Sequence, residues 1–285
     1  MLIPALVLLF VFVYLPMGGN IIAFKKYSFR KGIFGSDWVG FKYFEQMWGQ
    51  RLFWRAFKNQ LVVSFFMLLT GFPFPIIIAL LLNEIRGSRL RRTLQTAYTF
   101  PYFLSWIVIS GVVTGFLTGN GLVNQLLTLL HQPSNRILVD GDQFRILLYV
   151  TNIWKTSGWN AIMYLAALAA INPELYEAAA LDGANRWQQT VHITWPGIAS
   201  TAAVLLVLQC GGVMSMGYDQ VLNMYNQTVY AKADIIDTFI YREYLAKGTN
   251  FSLAAAVGLF KSVINIVLLL LSNVAVKKMG QEGVI

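Results

Sequence analysis

The sequence predicts an all-α membrane protein with about six transmembrane helices, and three observations carry that class. Hydrophobic residues fill 56% of the 285 positions and charged residues only 12%, about half the charge of an ordinary soluble domain. Mean hydropathy is +0.57. Six apolar stretches approach the ~20 helical residues that cross about 30 Å of hydrocarbon. The whole chain, 1–285, reads as a single transmembrane domain.

The first span runs over about 2–23. A cleavable signal peptide is the alternative, but the stretch lacks a basic n-region and no A-x-A site follows it, which favours a retained helix. Met1 stands directly on apolar residues, so a polar cytoplasmic leader is expected to be missing or never to have been there. The second span, 61–82, contains Gly71, Pro73 and Pro75. Each proline removes a donor and crowds the preceding turn, so a kink or break is expected. In lipid the freed carbonyls need cover from neighbouring helices or water. A packing kink and an irregular segment facing a pathway both fit. The third span, 97–117, is expected to tolerate Pro101 and Gly111. The fourth covers 146–171, the fifth 198–216 and the sixth 254–276.

The net charge of +9 comes from 22 Lys and Arg spread between apolar spans. They form no basic-aromatic pattern of the RNA-binding kind, so membrane lipid is the expected anionic partner and nucleic acid is not. Cys210 is the only cysteine, which excludes an intrachain disulfide and a thiolate metal site. In its apolar run it reads as a buried small hydrophobe.

Orientation is not fixed by charge. With the first span entering from the cytoplasm, the inner loops hold seven basic residues (Arg86, Arg89, Arg91, Arg92, Arg186, Lys277, Lys278) and the outer ones thirteen. That count opposes the positive-inside rule. The excess lies in 24–58, with Lys25, Lys26, Arg30, Lys31, Lys42, Arg51, Arg55 and Lys58 among many Trp and Phe. Such a stretch reads as a structured interfacial element. The compact Arg86–Arg92 cluster is the cleaner inside marker.

Between spans four and five lies the segment 172–183, NPELYEAAALDG. Asn172 is a good N-cap and Pro173 suits the first turn, where no donor is needed. Glu174 favours the positive end of the helix dipole, alanines carry the helix, and Gly183 can end it in the left-handed conformation. The product is a helix of about ten residues, roughly 15 Å long. Ala178, Ala179 and Ala180 leave it thin enough to lie close against another protein. A second stretch, Arg186 to Trp195, is expected to end at Pro196 before the fifth span.

Glu177-Ala178-Ala179, three residues, Gly183, nine residues, Ile193, then Trp195 and Pro196 resemble the EAA loop of binding-protein-dependent ABC importer permeases. That pattern usually ends Ile-x-Leu-Pro; Trp195 replaces the leucine, a change affecting packing at the loop exit more than docking. Further pieces extend the resemblance over nearly the full length: WVGFKYF at 38–44, NEIR at 83–86, QTAYTFPYFLSW at 95–106 and GLFK at 258–261. They are similar to the sugar-permease branch that handles polysaccharides and complex oligosaccharides, the bacterial alginate importer permeases among them.

The resemblance implies a coupling helix over 173–183 that inserts into a groove on a cytoplasmic ATPase, with Glu177 and Gly183 at its functional heart. Ala178 and Ala179 belong to the same motif, and Leu175, Tyr176, Leu181 and Asp182 are further docking candidates. It also implies a multi-pass chain in the bacterial inner membrane with its N-terminus inside. Its partners would be a second homologous permease, two ATPase subunits and a periplasmic or lipid-anchored binding protein that delivers a saccharide. ATP and Mg would be bound by the ATPase subunits, leaving this chain without a cofactor.

No G-x-x-x-x-G-K-[ST] occurs, so ATP phosphates are not cradled here in that manner, and no H-E-x-x-H or G-x-S-x-G occurs either. His131 and His192 read as loop residues. The chain is therefore expected to be non-catalytic. Charges within spans are costly and invite a functional reading. Lys155 sits in the fourth span among Trp154, Thr156, Ser157 and Trp159, and Lys261 in the sixth before Ser262 and Asn265. They either pair with carbonyls or snorkel, or they face a hydrated pathway and attract an anionic, alginate-like sugar. Trp154, Trp159, Tyr241 or Tyr244 could stack on pyranose rings. Loop 217–253 is either a solvated connection or an outer surface contacting the binding protein. A stand-alone channel or a proton-coupled secondary transporter is the alternative, against which the lack of an evident inverted repeat counts.

Overall fold

The computed structural model describes residues 2–85, 87–280 and 283. Arg86, one of the expected inside markers, lies outside them. In chain order the main helices are α1 (Ile3–Phe24), α2 (Lys42–Trp48), α3 (Arg51–Gly71), α4 (Pro73–Asn83), α5 (Ser88–Thr99), α6 (Trp106–Leu117), α7 (Leu122–Leu129) and α8 (Gly141–Ala169). They continue with α9 (Glu174–Leu181), α10 (Arg186–Gly211), α11 (Tyr218–Met224), α12 (Ile236–Ile240) and α13 (Phe251–Lys278). The sheet among the described residues is a two-stranded hairpin, β1 (Lys25–Lys26) antiparallel to β2 (Asp37–Trp38).

Among the described residues, five helical stretches are long and apolar enough to cross a membrane: α1, Arg51–Asn83, Trp106–Leu129, α10 and α13. Helix α8, the expected fourth span, has 29 residues and so is about 43 Å long. It carries Asp142, Arg145, Asn152, Lys155 and Asn160 and is correspondingly less apolar.

Prolines explain where the spans differ from expectation. The second is not confined to 61–82 but runs over 33 residues, Arg51–Asn83. Its regularity lapses only at Phe72, which keeps helical angles of −81° and −48° while Pro73 and Pro75 open α4. The third is not one helix over 97–117. After α5 the chain makes a 3₁₀ turn, Phe100–Phe103, then extends through Leu104 and Ser105 before α6 begins. Pro101 cannot donate into a continuing helix, and Ser105 caps the new one, its Oγ accepting from the Val108 N–H at 3.3 Å. The fifth begins twelve residues before 198 and ends at Gly211, not at 216, and Pro196 does not interrupt it. A π turn over Thr190–Thr194, closed by the Trp195 N–H on the Thr190 carbonyl, gives the ring room. Helix α1 uses the same device before Pro16, with the Leu15 N–H on the Phe10 carbonyl. His192 lies within the first of these turns, so it is helical rather than a loop residue.

The chain divides into two compact units. The first comprises 1–60 and 234–264. Its 24–58 portion is the structured element expected: Phe24 stacks on Trp38 with centroids 5.8 Å apart, and Trp48, Phe53 and Phe57 cluster with Phe260. Nor is 217–253 a solvated loop. Its 234–253 part, in this unit, forms α12 and a π turn over Tyr241–Leu245 with Phe239 and Ile236 fully buried, and its 217–233 part, in the second unit, forms α11 and short turns. The second unit comprises 61–233 and 265–285. Its core sets Ile76, Ala79 and Leu82 of α4 against Ala161, Tyr164 and Leu168 of α8 and Ile198 and Ala202 of α10. Cys210 is half-buried there, lining an apolar groove of about 680 Å³ with Phe65 and Leu271.

Candidate functional site

Helix α9 is built by its caps. The Asn172 Oδ1 accepts from the Glu174 N–H at 3.1 Å, and the Glu177 N–H reaches the Pro173 carbonyl at 3.2 Å. Pro173 thus occupies the first turn, as its missing donor allows. At the other end Gly183 adopts φ +81°. The Gly183 N–H donates to Ala180 O at 3.1 Å and the Ala184 N–H to Ala179 O at 2.8 Å, the paired bonds of a Schellman ending.

A second N-terminus follows directly. Asn185 and Gln188 form a reciprocal capping box that starts α10. Two contacts fasten this corner to the rest of its unit: the Tyr176 hydroxyl lies 3.0 Å from the Thr194 hydroxyl, and Arg186 pairs with Glu84 at the end of the α4 segment. The outer side is open. Leu181 is 89% exposed, Trp187 74% and Leu175 52%, while Glu177, Ala178 and Asp182 are also exposed and Ala179 is half-buried. Exposed leucine and tryptophan beside carboxylates make a surface fit for an apolar partner with basic groups. Trp195, the departure from the family pattern, is 47% exposed and borders a pocket with Phe72 and Ala199.

The lysines of the expected fourth and sixth spans have internal partners. Lys155 is 7% exposed, and its ammonium donates to the carbonyls of Tyr102 at 2.7 Å and Leu104 at 2.5 Å, with Pro101 O at 3.5 Å. It also lies 5.4 Å from the Tyr102 ring and 5.5 Å from that of Trp106. Burying an ammonium is costly unless it is hydrogen-bonded, and two charge-assisted bonds of about 1.5–3 kcal/mol each offset that cost. Lys261 pairs with Asp237 at 2.6 Å, both largely buried. Of the other pathway candidates, Trp159 stacks on Tyr102 at 4.5 Å, Trp154 is 52% exposed, and the Asn265 Oδ1 accepts from the Met214 N–H. Tyr241 is exposed, whereas Tyr244 is buried with its hydroxyl on Gln50.

A different polar surface opens in the second unit. Asn152, Thr156 and Asn160 follow one another at four-residue spacing along α8, and with Gln209 of α10 they line a cavity of about 250 Å³ between Gly71 and Gly217. Among the described residues no side chain hydrogen-bonds the three amides. The stripe is not among the pathway residues expected from the sequence, although polar residues at i, i+4 and i+8 in an apolar helix are its signal.

Comparison with known proteins supplies the frame for these features. Residues 71–281 match the family described as binding-protein-dependent transport system inner membrane component. Protein LplB of Bacillus subtilis is 42% identical over 284 residues, 99% of this chain and 89% of LplB. The polygalacturonan/rhamnogalacturonan transport system permease protein YteP of the same organism is 39% identical, over all of this chain and 88% of YteP. A chain in the crystal structure of a bacterial ABC transporter involved in the import of the acidic polysaccharide alginate superposes with a TM-score of 0.89 at 37% identity, covering 98% of this chain and 94% of that one. In the complex of a bacterial alginate ABC transporter with its pentasaccharide-bound periplasmic protein, the corresponding values are 0.91, 37%, 100% and 95%. This chain, too, belongs to the family of binding-protein-dependent transport system inner membrane components.

Proposed function

We propose that the chain is the pore-forming subunit of an ATP-driven importer that carries an oligo- or polysaccharide across the bacterial inner membrane. The observation that carries the coupling part is α9: a helix closed at both ends by its own caps, yet presenting Leu175, Leu181 and Glu177 outward. Leu175, Tyr176, Glu177, Ala178, Ala179, Leu181, Asp182 and Gly183 form the docking element for an ATPase subunit on the cytoplasmic side. ATP and Mg are bound by two such subunits, and hydrolysis occurs there. A second permease completes the pore, and a periplasmic or lipid-anchored binding protein delivers the cargo.

The cargo we assign is a uronate-bearing saccharide, an assignment supported by the named roles of YteP and of the alginate transporters. Within the chain, the uncharged amides of Asn152, Asn160 and Gln209 offer donors and acceptors to hydroxyls and carboxylates alike. Lys261 of the first unit and Asn265 of the second are further candidates for contact with the saccharide.

Purifying the tagged chain from its native membrane in mild detergent tests the assembly. A P-loop ATPase and a second permease should accompany it. Purification alone, with transport in liposomes nonetheless, would overturn the reading in favour of a channel or secondary transporter.

A further inference from the structure

Three residues within one five-residue stretch of α8 meet the interruption of the third span. Lys155 holds the carbonyls of Tyr102 and Leu104. The extended residues Leu104 and Ser105 deprive those carbonyls of the N–H groups that a continuing helix would bring. One turn on, Gly158 admits the backbone of α5: a Cβ there would stand 2.0 Å from the Tyr98 carbonyl oxygen. Trp159 then lies parallel to the Tyr102 ring, 3° off, and meets Phe103 edge-on at 5.7 Å. Among the described residues no carboxylate pairs with Lys155, so its charge is held by backbone and aromatic faces. An apolar side chain in that place would leave the carbonyls bare, whereas Lys261 of α13 has an ordinary ion-pair partner in Asp237.

Helix α8 also ends five residues before α9 begins. From Lys155 to Ala169 is about 21 Å of continuous helix. The interruption is thus fastened to the same rod that leads into the coupling corner.

We propose that Lys155 is a positioning residue for transport. Its ammonium fastens the break at Leu104–Ser105 to α8, so that displacement of α9, carried along α8, turns α6 about that break. The proposal rests on the importer reading. It gives the lysine a role separate from cargo recognition: the charge stays on the carbonyls while the angle between α6 and α8 changes. A continuous helix could not hinge there, and a break without a cation would leave bare carbonyls in hydrocarbon, which is costly.

The test uses the full complex in lipid nanodiscs, with Cys210→Ser as background and spin labels at Val112 of α6 and Ile146 of α8, both exposed. The label distance is measured without nucleotide and in an ATP-trapped state, alongside ATP hydrolysis. The parent complex should show a distance shift between the two states. Lys155→Met should lose that shift while still hydrolysing ATP, and Lys155→Arg should restore part of it. If Lys155→Met does not assemble, Trp159→Leu, which removes the stack on Tyr102 and the edge contact with Phe103, decides by the same readout and should reduce the shift. No shift in a parent complex that hydrolyses ATP, or an undiminished shift in the deciding variant, overturns the proposal. A parent complex with no ATPase activity instead overturns the importer reading.

Discussion

Gly183 stands at φ +81° with open space around the position of its missing Cβ, so strain rather than crowding governs its replacement. Alanine in that conformation costs about 1–2 kcal/mol, and the cost falls on the bonds that close α9. Gly183→Ala should therefore lower the midpoint of thermal unfolding only slightly but reduce ATP-driven uptake several-fold; uptake equal to wild type would show that the ending of α9 does not matter. This residue and Asn172 were legible in the sequence because capping is local: both partners lie within a few positions. The partners of Lys155 were not. They lie some fifty residues earlier, and no spacing rule connects a lysine to carbonyls exposed by a break elsewhere. Lys261 was hidden for the same reason, its carboxylate lying 24 positions away.

Among the elements, the apolar stretches announced spans wherever composition alone decides. Their ends depended on how each proline is absorbed. At Pro101 the helix breaks, while at Pro196 and Pro16 a π turn lets it continue. Hydropathy cannot separate these outcomes, because they depend on whether neighbours cover the freed carbonyls. Helix α8 illustrates the converse: its polar residues weaken the membrane signal yet create the Asn152, Thr156 and Asn160 stripe. Replacing Asn160 by leucine keeps the volume similar and removes an amide. If the cavity carries cargo, uptake should fall about tenfold, the equivalent of ~1.4 kcal/mol for one lost hydrogen-bonding group. ATP hydrolysis and complex assembly should persist. Unchanged uptake of both neutral and acidic oligosaccharides would remove the stripe from the pathway.

For the molecule as a whole, the family membership was readable from the EAA pattern because that loop carries its information in a short, ordered run of residue types. The division into two units was not, since each is assembled from two distant stretches of chain and α3 and α13 contribute to both. Nor does the exposed length of α1, with none of its apolar window buried, have any meaning until bilayer and partners are considered together. On the importer reading, this chain moves a saccharide only when an ATPase docks on α9. The most direct measurement is uptake of a polygalacturonan oligosaccharide, presented on its binding protein, into liposomes holding the complete complex with ATP inside. Uptake should require ATP and disappear both when the ATPase subunits are omitted and in a Glu177→Arg, Leu181→Asp variant whose permease still inserts and pairs. Uptake that continues without the ATPases, driven by a proton gradient or by the sugar gradient alone, would make the chain a channel or secondary transporter instead.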